Sequence, residues 1–158
     1  MYFDVSRCIR GSRAGITLIS PQNDIIPMSY KLSFECTNNM AKYEALILGL
    51  KATIEIDVTH LHIYEDSQLI VNQINEIYNT KDEKLIPYKD LVAKLVACFE
   101  EYQLENIPRN NSRLANAMAS AASLIPIEVE RRETTFAIKN LGTPSIVDEN
   151  LKMVFVAQ

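Results

Sequence analysis

No stretch of this 158-residue sequence reaches the roughly 18 consecutive apolar residues that a membrane span requires. The opening Met1-Tyr2-Phe3-Asp4 lacks the basic lead and apolar run of a secretory signal. Basic residues are not in excess: the formal net charge is −4, which excludes binding to phosphate backbones by bulk charge alone. Cysteines number three, Cys8, Cys36 and Cys98, an odd count with no pair at metal-ligand spacing. They read as reduced thiols packed in an intracellular protein, with cytoplasm and nucleus not distinguished. There is no internal repeat and no low-complexity tract.

What is present is ordinary for a globular chain. Apolar residues make up 47% and charged residues 23%, which excludes disorder as the main state. The length fits one domain with a single core and a short tail. The chain already begins on a strand-like run, as expected of a reading frame that starts inside a longer ancestral polypeptide.

Periodicity lays out the elements. Tyr2 to Ser6 and Ala14 to Ser20 read as strands, separated by a polar loop over 7–13. Ile26, Met28, Tyr30, Leu32 and Phe34 alternate with other residues, so a third strand should bury one face. Pro27 points to a sheet edge, because proline donates nothing to a ladder. Thr37-Asn38-Asn39 offers helix caps ahead of a helix over about 40–56, with Leu46, Leu50 and Ile54 on one face. A fourth strand covers Leu61 to Tyr64, and a helix covers Ser67 to Glu76. Tyr88, Leu91, Val92, Leu95, Val96 and Phe99 repeat at three and four, the mark of an amphipathic helix. Tyr102 to Ile107 is a fifth strand, and a last helix spans about 112–124. The predicted fold class is α/β. A mixed five-stranded sheet in the order β-β-β-α-β-α-α-β-α carries helices on both faces, with an antiparallel meander and the last two strands parallel to the first. Residues 1–125 form the domain, and 126–158 are a tail or linker of uncertain structure.

In such sheets ligands gather where strands end and helices begin, and Asp4 and Asp66 both lie at such ends. Taken alone, Asp4 reads as a strand-end turn residue and Asp66-Ser67 as a helix cap. Lys42 and Asn116 read as solvated helix residues. His60 and His62 flank a strand start with no evident partner, and a structural role is expected for both.

Five segments taken together are more specific. Tyr2-Phe3-Asp4, Ala14-Gly15-Ile16-x-Leu18-Ile19-Ser20-Pro21, Thr37-Asn38-Asn39-x-Ala41-x-Tyr43-Glu44-Ala45-Leu46, Tyr64-x-Asp66-Ser67-Gln68-Leu69-Ile70-Val71, and Ile107-Pro108-Arg109 with Arg113-Leu114-Ala115-x-Ala117 stand in order. Across residues 2 to about 125 the sequence resembles the type 1 ribonuclease H domain of plant gypsy-type retrotransposon polyproteins. The resemblance implies a ribonuclease H-like fold and metal-dependent hydrolysis of the RNA strand of RNA–DNA hybrids. Two magnesium ions about 3.5–4 Å apart activate water and stabilise the leaving oxygen in such chemistry. Hard cations require converging carboxylates. The resemblance implies four acids and a histidine.

Carried over by position, two of the four acids survive, Asp4 and Asp66, as implied metal ligands and catalytic residues. The helix acid falls at Lys42, the acid of the last helix at Asn116, and the histidine at Asn106. An ammonium among dications is repulsive, each added like charge at about 4 Å costing on the order of 4 kcal/mol at an effective dielectric near 20. Neighbouring acids offer no rescue by pattern. Glu44 lies about 200° around the helix from Lys42, and Glu65, adjoining Asp66, is expected on the opposite strand face. The site therefore predicts weak or absent Mg²⁺ binding and lost or strongly impaired hydrolysis. Asn38, Asn39 and Gln68 match positions that contact the hybrid's minor groove, where 2′-hydroxyls are displayed. Three readings stay open: a degenerate nuclease domain, a non-catalytic hybrid-binding module, and a functionless remnant. The expected partner is an RNA–DNA hybrid or other nucleic acid, not a membrane, and the chain is expected to be a monomer.

Overall fold

Alternation in the first third of the chain produces a three-stranded antiparallel meander. In the computed structural model, which describes residues 1–8, 11–76, 80–108 and 138–146, its strands are β1 (Tyr2–Cys8), β2 (Gly11–Ile19) and β3 (Ile25–Leu32). Pairing runs from Tyr2↔Thr17 out to Cys8↔Gly11, so both first strands reach into the stretch expected to be loop. The polar residues there, such as Ser12 and Arg13, pair through the backbone, which side-chain polarity does not forbid.

Helix α1 (Asn38–Glu55) follows, started by Thr37, whose Oγ1 accepts the Met40 amide at 3.2 Å. Then come β4 (His60–Glu65), α2 (Gln68–Ile74), a 3₁₀ turn at Glu83–Leu85, α3 (Ile86–Val96) and β5 (Glu101–Asn106). Strands β1, β4 and β5 are mutually parallel, as expected. The predicted helix over 112–124, with Asn116, lies outside the described residues, as do Arg109 and the apolar run at 153–156.

The five expected strands are joined by a sixth. β6 (Ile138–Leu141), from the stretch assigned to the tail, pairs in parallel with Ser29–Leu32 of β3. The sheet order is β5-β4-β1-β2-β3-β6. β3 is thus not the edge along its second half. Pro27 lies outside the stretch paired to β6, so its missing donor costs no bond there. Nor is the apolar side of β3 buried throughout. Leu32 is in the core, Met28, Tyr30 and Phe34 are half-buried, and Ile26 is exposed at the strand's start.

The core lies between the sheet and the helices, from Phe3, Ile16, Leu46, Leu50, Ile63, Leu95 and Phe99. α1 is covered on both sides, so every residue from Ala41 to Leu50 is buried, not one face alone. Gly49 permits this depth: a Cβ there would fall 2.5 Å from Met1 Sδ and 3.2 Å from Ile16 Cγ2. Cys36 packs in the core as expected, whereas Cys98, just beyond α3, is exposed. No described helix is long and apolar enough to cross a membrane.

Candidate functional site

Three elements converge where β1 and β4 meet the first turns of α1. β1 brings Asp4, α1 brings Lys42, and the β4-to-α2 junction brings Glu65 and Asp66. Lys42 is not a solvated helix residue: it is 5% exposed, and its ammonium lies among carboxylates. Nζ is 2.6 Å from Glu65 Oε1, 2.7 Å from Asp66 Oδ1 and 3.5 Å from Asp4 Oδ1. Asp4 Oδ1 also accepts the Val5 amide at 2.8 Å. The Asp66 side chain is packed into the cluster, and the cap of α2 is Ser67, whose Oγ accepts the Ile70 amide.

Glu65 corrects the expectation drawn from the sequence. Leu61, Ile63 and Glu65 share the buried face of β4, and Glu65 is fully buried. Asp66 stands one residue past the strand end, where the chain bends, so alternation no longer separates the two acids. The signal was present in the period-two run from Leu61, which puts Glu65 inward. Besides binding Lys42, Glu65 Oε1 accepts the Ser67 amide at 3.0 Å. Its Oε2 is buried with no hydrogen-bond partner among the described residues.

The electrostatics follow from this crowding. Burial raises the Asp4 carboxyl above its usual range, and Lys42 opposes it. Burial likewise pushes Glu65 up to about 8, again opposed by Lys42 and reinforced by the neighbouring Asp66. For Lys42 burial works downward. The Glu65 charge and the hydrogen bonds to Asp66 and Glu65 outweigh it and hold the amine protonated, above the ordinary lysine range.

The other expected residues surround the cluster. Asn38 and Asn39 occupy the first turn of α1, Asn38 one turn before Lys42, and Gln68 opens α2 two positions after Asp66. Asn38 and Gln68 are exposed and Asn39 is half-buried. Asn106, at the expected histidine position, pairs with Glu65 across β5 and β4, and its Nδ2 donates to the Glu65 carbonyl at 3.2 Å. Glu44 faces away as expected, but into a second buried contact. Its carboxylate accepts Tyr88 Oη at 2.7 Å and Ser145 Oγ at 2.6 Å. The histidines do find partners: His62 Nε2 is 2.5 Å from Glu105 Oε2, and His60 lies 4.0 Å from Glu100.

The cluster does not fit a paired-metal centre. Its ammonium sits at bonding distance from the carboxylate oxygens a cation would need, and an amine held protonated offers no lone pair. Among the described residues no group of three or more His, Cys, Asp or Glu is arranged to hold a metal ion.

Residues 3–122 match the model of the reverse transcriptase-like family. The ribonuclease HI of Halobacterium salinarum is 30% identical over 123 residues, covering 77% of this chain and 62% of that protein. The chain thus spans about three fifths of that curated relative's length. The crystal structure of RNase H1 from H. salinarum NRC-1 aligns with a TM-score of 0.72 at 26% identity, over 77% of this chain and 94% of that one. LC11-RNase H1, crystallised in complex with an RNA/DNA hybrid, aligns with a TM-score of 0.68 at 22% identity, over 76% and 92%. At that identity the likeness is one of fold alone.

Proposed function

The chain belongs to the reverse transcriptase-like family and carries the ribonuclease H fold, and from that premise we propose that it is a retrotransposon-derived domain that contacts RNA–DNA hybrids without cutting them. The domain proper is residues 1 to about 125, with β6 added to its sheet from the segment beyond. The family generally works with Mg²⁺, and the ancestral site would have held it through Asp4, Asp66 and acids at positions 42 and 116. The observation that carries the reading is the Lys42 ammonium, 2.6 Å and 2.7 Å from Glu65 and Asp66. It brings positive charge to the point where hydrolysis calls for cation-binding oxygens. Asn116 removes a further carboxylate from the sequence set.

Contact with nucleic acid rests on other residues. Asn38, Asn39 and Gln68 supply amide donors and acceptors at the starts of α1 and α2, beside the cluster. Such groups suit the 2′-hydroxyls and base edges of a wide, shallow minor groove. With a net charge of −4 the affinity is weak, salt-sensitive and indifferent to magnesium. A remnant with no function would instead bind hybrid no better than an unrelated acidic protein.

A paired assay tests this. The native chain and a Lys42→Glu, Asn116→Asp variant are incubated with a labelled hybrid and Mg²⁺ or Mn²⁺. Binding by both, with cleavage by the variant alone, is the expected result. Cleavage by the native chain, abolished by Asp66→Asn, would refute the reading.

A further inference from the structure

Glu65 matches none of the four acids that the resemblance implies, yet it is the closest partner of Lys42 at 2.6 Å and is fully buried. A buried carboxylate with one oxygen unpartnered among the described residues is costly unless a cation is close. A buried ammonium is costly on the same terms. Each residue lowers the other's penalty, with Asp66 and Asp4 adding to the neutralisation of Lys42.

We propose that Lys42 is the resident cation of this site, held by the side-chain oxygens of Glu65, Asp66 and Asp4, so that the tethered ammonium takes over the charge-neutralising role a divalent ion would have and makes the folded chain independent of metal. Three carboxylates, from Asp4, Glu65 and Asp66, converge on Nζ at 3.5, 2.6 and 2.7 Å. Side-chain oxygens from three acids thus meet one positive charge, here attached to α1. A tethered charge needs no metal from solution and cannot be stripped by a chelator. Two positions on different elements, 23 residues apart, therefore form one functional unit. Removing Lys42 alone leaves the three acids facing one another, whereas removing Glu65 alone leaves Lys42 paired with Asp66 and Asp4.

The inference rests on the reading that the paired-metal centre is lost, but its test uses no nucleic acid, so it can fail while hybrid contact stands. Thermal melts of the full chain are recorded in EDTA, and with Mg²⁺ or Ca²⁺ at matched ionic strength, for the native protein, Lys42→Met, Glu65→Gln and the double variant. Calcium is included because it tolerates irregular oxygen geometry.

The native melting temperature stays the same in all three buffers. Lys42→Met, left with three facing carboxylates, melts at least about 5 °C lower in EDTA and recovers part of the loss in Ca²⁺. Adding Glu65→Gln to Lys42→Met raises the metal-free melting temperature again, so the two changes are non-additive. If Lys42→Met does not fold, the double variant decides: its folding supports the pair, and its failure overturns it. A native chain stabilised by either cation, or a Lys42→Met protein as stable as the native one in EDTA, would also overturn it.

Discussion

Lys42, Tyr43 and Glu44 are consecutive on α1, all buried, and each meets a different environment. Lys42 meets the acid cluster, Tyr43 donates to Gln73 Oε1 at 2.9 Å, and Glu44 accepts from Tyr88 and Ser145. Tyr43 gives a pH prediction with a definite sign. Burial pushes its phenol up to about 12, against an ordinary value of 10.0. Between those values the unfolded chain has lost the proton and the folded chain keeps it, so stability falls as pH rises through that window. The loss reaches about 1.4 kcal/mol near pH 11. Urea melts at about pH 9 and pH 11 will show a larger alkaline loss in the native chain than in Tyr43→Phe. Equal losses in the two proteins would contradict the assignment. Some of this residue-scale picture was legible in the sequence: Asp4, Lys42 and Asp66 are brought together as the resemblance implies. Glu65 is harder to read: alternation from Asp66, beyond the strand's end, turns it outward, whereas alternation from Leu61 within the strand turns it inward, as observed.

At the scale of elements, β6 is the feature periodicity missed. Its four residues are too few for a pattern, and their partner, β3, lies more than a hundred positions earlier in the chain. Besides its pairing with β3, a buried polar contact holds the segment, Glu44 accepting Ser145 N at 3.1 Å and Ser145 Oγ at 2.6 Å. Hydrogen bonds to charged groups contribute about 1.5–3 kcal/mol. Ser145→Ala should therefore speed amide exchange at Ser33, whose N–H donates to the Leu141 carbonyl at 2.9 Å, by roughly tenfold or more. Amides of β1 and β4 should be unchanged. Uniform acceleration across the sheet would mean that β6 opens only with the whole fold. The longer elements were readable because their signals are local. Thr37 caps α1 as expected, and Tyr88, Leu91, Val92, Leu95 and Val96 line the buried side of α3.

For the molecule as a whole, fold and chemistry separate. The meander, the parallel pairs β1–β4 and β4–β5, and the helices packed on the sheet follow from apolar spacing, which survives when polar site residues change. The chemistry depends on a few charges, and here an ammonium stands among the carboxylates at the centre of the site. An acidic domain with a net charge of −4 gains nothing from bulk electrostatics on nucleic acid, so any contact is local. Isothermal titration calorimetry of Mg²⁺ into the native chain tests the central claim most directly. A flat trace with no saturable heat up to millimolar concentrations is predicted, because Lys42 already occupies the place between the carboxylates. Saturable binding of two magnesium ions would contradict it.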